Sequence, residues 1–215
     1  LAVVEKELAE LEKLADTLEE RFGLSGISLE YGPGLPADYF GDDPEGRDMA
    51  VLAEAGAMIA AVAARRSVTV EFGRFLASPC GTYLTAAADI KNNNGENFVI
   101  CDGGINHLKY YGQTMAMQTP PITLLGDHGE KTEDYTLCGS LCTTADILVR
   151  KVTLPALSVG DVLAFGRCGA YSVTEGIGLF LSRQLPRIVL PSERGGNRLL
   201  RDFYGTDILN SPAEV

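Results

Sequence analysis

Four short segments carry residue types that can do chemistry. Gly32-Pro33-Gly34 follows the apolar run Ile27–Tyr31. Glycines at the end of a strand let backbone N–H groups come close to an anion such as a phosphate. Taken alone, Gly-Pro-Gly reads equally as an ordinary turn. Glu71-Phe72-Gly73-Arg74 sets an acid and a base three residues apart after another β-branched run. The pair suits a ligand bearing both charges, and its plain alternative is a surface ion pair of little energetic weight. Cys138-Gly-Ser-Leu-Cys142-Thr-Thr-Ala-Asp146 has two thiols four apart in a Gly/Ser/Thr segment, the composition of a loop. Loops on a rigid scaffold often carry function, but a thiol is reactive only where its thiolate is favoured, and a buried inert cysteine is the competing reading. Gly166-Arg-Cys-Gly169-Ala-Tyr171 is a small-residue turn that ends in a phenol, or an ordinary turn with a packed aromatic.

The bulk composition limits what these segments can serve. The chain has 215 residues, 46% hydrophobic and 22% charged, which is enough for one or two cores. A formal net charge of −11 repels nucleic acid and anionic membranes, so neither is an expected partner. No stretch offers the ~20 uninterrupted apolar residues of a membrane span. The five cysteines have irregular spacing, no Cys-x-x-Cys pair and only His107 and His128 beside them. Free thiols in a reducing cytoplasm fit this better than a zinc site or a disulfide framework, and no metal is expected. The chain starts at Leu1, inside a helical pattern and without a basic leader, so a fragment or a processed chain is expected.

Val4, Leu8, Leu11, Ala15, Leu18 and Phe22 recur at helical spacing, and Gly23 stands where a helix ends. A strand over Ile27–Tyr31, a helix from Glu45 to Arg66 and a strand over Ser67–Glu71 follow, an alternation that belongs to parallel α/β structure. Two such units cannot close a barrel, which needs ~250 residues, so an open remnant is expected. Strands Ile27–Tyr31 and Ser67–Glu71 would then lack a neighbour, and open edges invite association. After Arg74 the texture changes. Short β-rich runs cover Thr82–Ile90, Asn97–Cys101, Ile122–Leu125, Tyr135–Cys138, Ile147–Val152, Val162–Phe165 and Arg187–Leu190, with a hairpin turn at Asn92–Gly95. Such a series predicts an antiparallel sheet or barrel, a boundary near residues 74–80, and a tail from Ser192 to Val215 of short helix plus coil.

In order, these motifs are a strand followed by Gly-x-Gly, a strand ending in Glu-x-Gly-Arg, Cys101-Asp-Gly-Gly104, a Cys loop with a downstream Asp, Gly160-Asp-Val-Leu163 and Gly169-Ala-Tyr171. The series resembles the fold type III pyridoxal-phosphate-dependent decarboxylases of diaminopimelate, ornithine and arginine, in their C-terminal half. The resemblance implies an α/β remnant of a (β/α)8 barrel over 1–76. A mainly antiparallel β-barrel domain, like the C-terminal domain of alanine racemase, would follow over 77–215 and complete the active site at a dimer interface.

It also implies roles. Gly32 and Gly34 match the phosphate loop, although Pro33 removes one N–H donor. Glu71 matches the acid that pairs with the pyridine nitrogen, Arg74 the arginine near the phosphate, and Tyr171 a tyrosine at the cofactor. Cys142 matches the cysteine that reaches the partner's site and helps to protonate the decarboxylated carbon, with Asp146 the acid just downstream. Phe72 stands where the family has proline, Thr143 where diaminopimelate decarboxylases have glutamate, and Lys109-Tyr110 where they have Arg-Pro. The last two changes touch groups that hold the substrate's far end, so a diaminopimelate-like or other basic or modified amino acid is the expected substrate. The family's cofactor lysine lies in a Tyr-Ala-x-Lys context, and the six lysines here (Lys6, Lys13, Lys91, Lys109, Lys131, Lys151) lie in others. Covalent cofactor binding, and hence activity, would then need a missing N-terminal barrel segment within a cytoplasmic homodimer. The alternatives are half of a split enzyme, a non-catalytic homologue that regulates through heterodimers, and a racemase, against which the Cys142 loop speaks.

Overall fold

The structure is a computed structural model that describes residues 1–212. The chain divides into two compact units, the first Leu1–Ser78 and the second from Pro79 onward.

In the first unit, α1 (Ala2–Phe22) buries Val4, Leu8 and Ala15 along one face and ends at Gly23, whose φ of 64° lets its N–H reach Glu19 O. Strand β1 (Leu29–Tyr31) pairs in parallel with β2 (Val68–Val70), Leu29 opposite Val68 and Tyr31 opposite Val70. Between them runs α2 (Pro44–Ala63), capped by Asp43, whose side chain accepts from Gly46 N at 2.9 Å, and opened by Pro44, which has no N–H to lose there. It ends short of the expected Arg66. Arg66, 12% exposed, instead donates to Glu19 at 3.0 Å, Ile27 O at 3.1 Å and Asp16 at 2.5 Å. α3 (Arg74–Ala77) closes the unit, and Phe75 joins the core with Leu29, Tyr31, Leu35, Ala55, Ile59 and Val62. Among the described residues β1 and β2 pair only with each other.

The second unit is built on one six-stranded sheet. Its strands are β3 (Tyr83–Asn93), β4 (Glu96–Cys101), β5 (Ile122–Leu124), β6 (Thr132–Cys138), β7 (Ile147–Pro155) and β8 (Val162–Phe165), in the spatial order β5-β8-β3-β4-β6-β7. The Asn-Gly hairpin forms as expected: Asn93 faces Glu96, and Asn94 and Gly95 take φ of 53° and 87°, the left-handed pair that a two-residue turn requires. The sheet is mainly antiparallel, as expected, with one parallel pairing, that of β4 with β6. The long connection from Asp102 to Lys131, which places β5 at the far end of the sheet, returns the chain in the same direction, as a crossover of that length permits. The free edge of β7 accepts the 116–119 segment, with Arg150 N donating to Ala116 O at 2.9 Å and Thr119 Oγ1 to Lys151 O at 3.3 Å. That segment leads into β5 at the other end, so the barrel is nearly closed. Val99, Leu137, Leu163 and Phe165 fill it at 0% exposure.

The tail also differs from expectation. Arg198–Arg201 forms a strand, β10, antiparallel to β9 (Ile188–Leu190), where helix and coil were expected. The turn through Ser192 and Gly196, the latter at φ 75°, brings Leu199 back against Val189, and the pairing satisfies a stretch whose apolar residues are too few to mark a strand by pattern. A 3-10 turn at Asp207–Asn210 supplies the expected short helix. Residues 213–215 of that tail lie outside the described residues.

Candidate functional site

The expected cofactor residues of the first unit stand together at the C-terminal ends of β1 and β2, the end of a parallel sheet at which ligands bind. Glu71 N donates to Tyr31 O at 3.0 Å, so the residue after each strand is fixed beside its neighbour. A Cβ on Gly32 would lie 3.9 Å from Glu71 O, which places the glycine turn directly against the acid's backbone. Gly34 takes φ 58°, a conformation that glycine adopts without strain. Arg74 opens α3, and its Nη1 donates to the hydroxyl of buried Tyr39 at 3.3 Å. Gly32, Gly34, Glu71 and Arg74 thus form one set: a glycine turn, a cation that suits a phosphate, and an exposed carboxylate that suits a protonated ring nitrogen. That donor set fits pyridoxal phosphate.

The second unit builds a different site around Cys142. Asp146 is 3% exposed, and its carboxylate accepts from Ile105 N at 2.9 Å and from Leu141 N at 2.7 Å. Its carbonyl accepts from Gly139 N at 2.9 Å. The side chain therefore ties the loop to Ile105, next to the Asp102-Gly-Gly104 segment, and the backbone carbonyl closes the loop on Gly139. The glycines are explained by it: a Cβ on Gly104 or Gly139 would run into the Asp146 carboxylate, and one on Gly103 into the Tyr83 hydroxyl. Leu141 is buried as a second anchor, and Cys142, next in sequence, is left exposed. Asp146, expected as a catalytic residue beside Cys142, is buried, and its carboxylate is committed to two backbone N–H groups.

The other thiols differ. Burial pushes Cys101 up to about 12 and Cys168 up to about 11, so neither is a thiolate near neutrality. Cys80 is exposed, and Cys138 is half-buried and raised by desolvation. Tyr171 lies on its own turn, 53% exposed at φ 59°, between buried Ala170 and Ser172. A non-glycine residue in that region costs about 1–2 kcal/mol, which the flanking burial offsets.

Ser140 and Arg183 stand beside Cys142, and His107 anchors the segment that carries Arg183. An open depression beside Cys142 is lined by Ser140, Leu141, Cys142, Phe180, Leu181 and Arg183. Ser140 N donates to Gly103 O at 2.9 Å, its hydroxyl donates to Asp102 O at 3.0 Å, and that hydroxyl accepts from Arg183 Nη2. His107 Nε2 donates to Gln184 O at 2.7 Å, which leaves Nδ1 to accept from the Tyr83 hydroxyl at 3.0 Å. Burial first, then the charge of Arg183, keeps His107 below its ordinary range. No motif marks Arg183, and Ser140 lies inside the Cys138–Asp146 segment without having been given a role of its own. His107, three residues after Gly104, had its position as the only signal.

Comparison with known proteins gives one family. The model of the pyridoxal-dependent decarboxylase C-terminal sheet domain matches residues 49–169. Among curated relatives, L-glutamyl-[BtrI acyl-carrier protein] decarboxylase of Niallia circulans is 28% identical over 199 residues, 87% of this chain and 46% of that protein. Diaminopimelate decarboxylase of Archaeoglobus fulgidus is 29% identical over 155 residues, 71% of this chain and 36% of that protein. The chain spans about half or less of these relatives' length. Among solved structures, diaminopimelate decarboxylase of M. jannaschii superposes with a TM-score of 0.77 at 24% identity, over 98% of this chain and 48% of that one. The Helicobacter pylori diaminopimelate decarboxylase complexed with L-lysine gives 0.74 at 20% identity, over 96% of this chain and 49% of that one. At these identities the likeness shows the fold.

Proposed function

The chain belongs to the pyridoxal-dependent decarboxylase family, and from that premise we propose that it is the C-terminal part of an enzyme that removes the α-carboxylate of an amino acid. The observation that carries the reading is an exposed thiol, Cys142, presented by a loop that the buried carboxylate of Asp146 anchors. A side chain held this way suits proton delivery to a substrate carbon, because its geometry is set before substrate arrives.

Pyridoxal phosphate, when bound, supplies an electron sink for loss of CO2. The chain's own residues have distinct parts. Gly32, Gly34 and Arg74 would hold the phosphate, and Glu71 would accept the hydrogen bond of the ring nitrogen and so keep it protonated. Cys142 Sγ would give a proton to the α-carbon after CO2 leaves, Asp146 holds its loop, and Tyr171 would contact the cofactor. In this reading the first unit belongs to a (β/α)8 barrel completed by an N-terminal segment, and Cys142 serves the neighbouring subunit of a cytoplasmic homodimer.

The substrate we propose is an amino acid with a modified side chain. Thr143 and Lys109-Tyr110 replace residues that hold the far end of diaminopimelate in the decarboxylases named for it. The names of two relatives point the same way. One is the glutamyl-carrier-protein decarboxylase. The other is the Staphylococcus aureus 2-[(L-alanin-3-ylcarbamoyl)methyl]-2-hydroxybutanedioate decarboxylase, 31% identical over 57% of this chain and 32% of its own length.

The test is CO2 release from a panel of plain and side-chain-acylated α-amino acids, by the protein that carries this chain together with its barrel segment, loaded with cofactor. Release from a modified amino acid in preference to diaminopimelate is expected, and the 215 residues alone are expected to release none, since none of their six lysines sits in the cofactor-lysine context. Release by those residues alone, or none by the whole protein, contradicts the reading.

A further inference from the structure

Arg183 is a half-buried cation in a protein of net charge −11, and among the described residues it makes no ion pair. Its guanidinium uses one N–H on Ser140 Oγ and keeps the rest of its donor fork. The other walls of the same depression are the thiol of Cys142 and the apolar side chains of Leu141, Phe180 and Leu181. The backbone that carries Arg183 is fixed at some cost. Leu181 and Ser182 both take positive φ, 46° and 56°, which L-residues adopt only under constraint. The constraint is visible: Thr206 Oγ1 donates to Arg183 O at 2.9 Å, Asn210 Nδ2 to Ser182 Oγ at 2.9 Å, and His107 Nε2 to Gln184 O at 2.7 Å. A strained turn anchored on both sides of an unneutralised arginine is a built feature rather than a surface charge. Fork-shaped donors beside apolar walls fit a planar anion on a short methylene stem.

We propose that Arg183, backed by Ser140, is a specificity-determining residue that binds a carboxylate carried on the substrate's side chain, beside Cys142. The inference rests on the decarboxylase reading for the substrate's α-amino-acid part, and it narrows the side chain to one that ends in or carries a carboxylate. Leu141, Phe180 and Leu181 accommodate the methylenes between that group and the reacting carbon.

The experiment separates the two readings. In the whole protein without substrate, the rate at which iodoacetamide modifies Cys142 is followed by peptide mass, with glutarate as the anionic probe and glutaramide as its neutral isostere. Glutarate is expected to slow modification of Cys142 and glutaramide not to. R183Q should remove the protection, and R183K should keep part of it, because a point charge lacks the fork. In the loaded enzyme, R183Q should cut the ratio of kcat/KM for a carboxylate-bearing substrate over its amide by roughly 10- to 100-fold, the span of a lost charged hydrogen bond. Equal effects of glutarate and glutaramide on the wild-type protein overturn the inference without any variant, and so does full protection in R183Q. Protection by glutarate in a loaded protein that releases no CO2 from any amino acid leaves the anion site standing and sinks the decarboxylase reading instead.

Discussion

The two candidate regions hold their functional residues in opposite ways. At the ends of β1 and β2, Gly32, Gly34, Glu71 and Arg74 sit directly after short strands, and the parallel register that pairs Tyr31 with Val70 sets their spacing. In the second unit, Cys142 is placed by groups far away in sequence: Asp146 binds Ile105 N, 41 residues before it, and Gly104 and Gly139 make room for the carboxylate. The first region is positioned by strand ends, the second by a buried latch. A substitution beside the first should therefore act locally, whereas one in the latch should disturb the loop and the barrel core beneath it.

The largest effect is expected for Gly139→Ala, whose Cβ would collide with both the Asp146 carboxylate and the Gly104 backbone. Backbone cannot swing aside, so a loss of about 3 kcal/mol is expected in denaturant melts of the second unit. Asp146→Ala should cost roughly 3 kcal/mol by leaving buried backbone donors unpaired, and it should also change the alkylation rate of Cys142. Gly34→Ala is the matched test in the first region: φ 58° makes alanine strained by about 1–2 kcal/mol. There, the Cys142 alkylation rate should stay as in the wild type. If Gly34→Ala costs more than Gly139→Ala, the contrast between the regions is wrong.

The next effect depends on pH. The folded state holds His107 below its ordinary value of 6.5, so the unfolded chain binds the proton more readily. Stability is then full above about 6.5 and falls as pH drops through the lower, folded value. His107→Gln should flatten that slope in a series of Tm against pH, and an unchanged slope would show that burial of His107 is not its source. The smallest effect belongs to the exposed Lys6–Glu10 pair on α1, where Lys6→Ala should change stability by under about 0.5 kcal/mol in the same melts.

Much of this arrangement is legible in the residues themselves. Alternating helix and strand patterns mark α1, β1, α2 and β2, and Asn94-Gly95 marks a hairpin, because both depend on neighbours in sequence. The order of the motifs identifies the family. What escapes is set at long range. The parallel pairing of β4 with β6 depends on where a thirty-residue connection returns (Asp102 to Lys131), which no local pattern encodes. Strand β10 forms because β9 is there to receive it. Asp146 reads as a reacting acid when seen four residues after Cys142, and only the fold reveals that Gly104 and Gly139 enclose it. Arg183 carries no motif at all; its interest lies in what surrounds it.

Cys142 Sγ is the proposed proton-delivering group, and replacing it tests that role most directly. In the whole, cofactor-loaded protein, Cys142→Ala should lower the rate of amine product formation by about 100-fold or more, the usual weight of a positioned proton donor, while cofactor absorbance is unchanged. Amine formed at the wild-type rate by that variant would contradict the account.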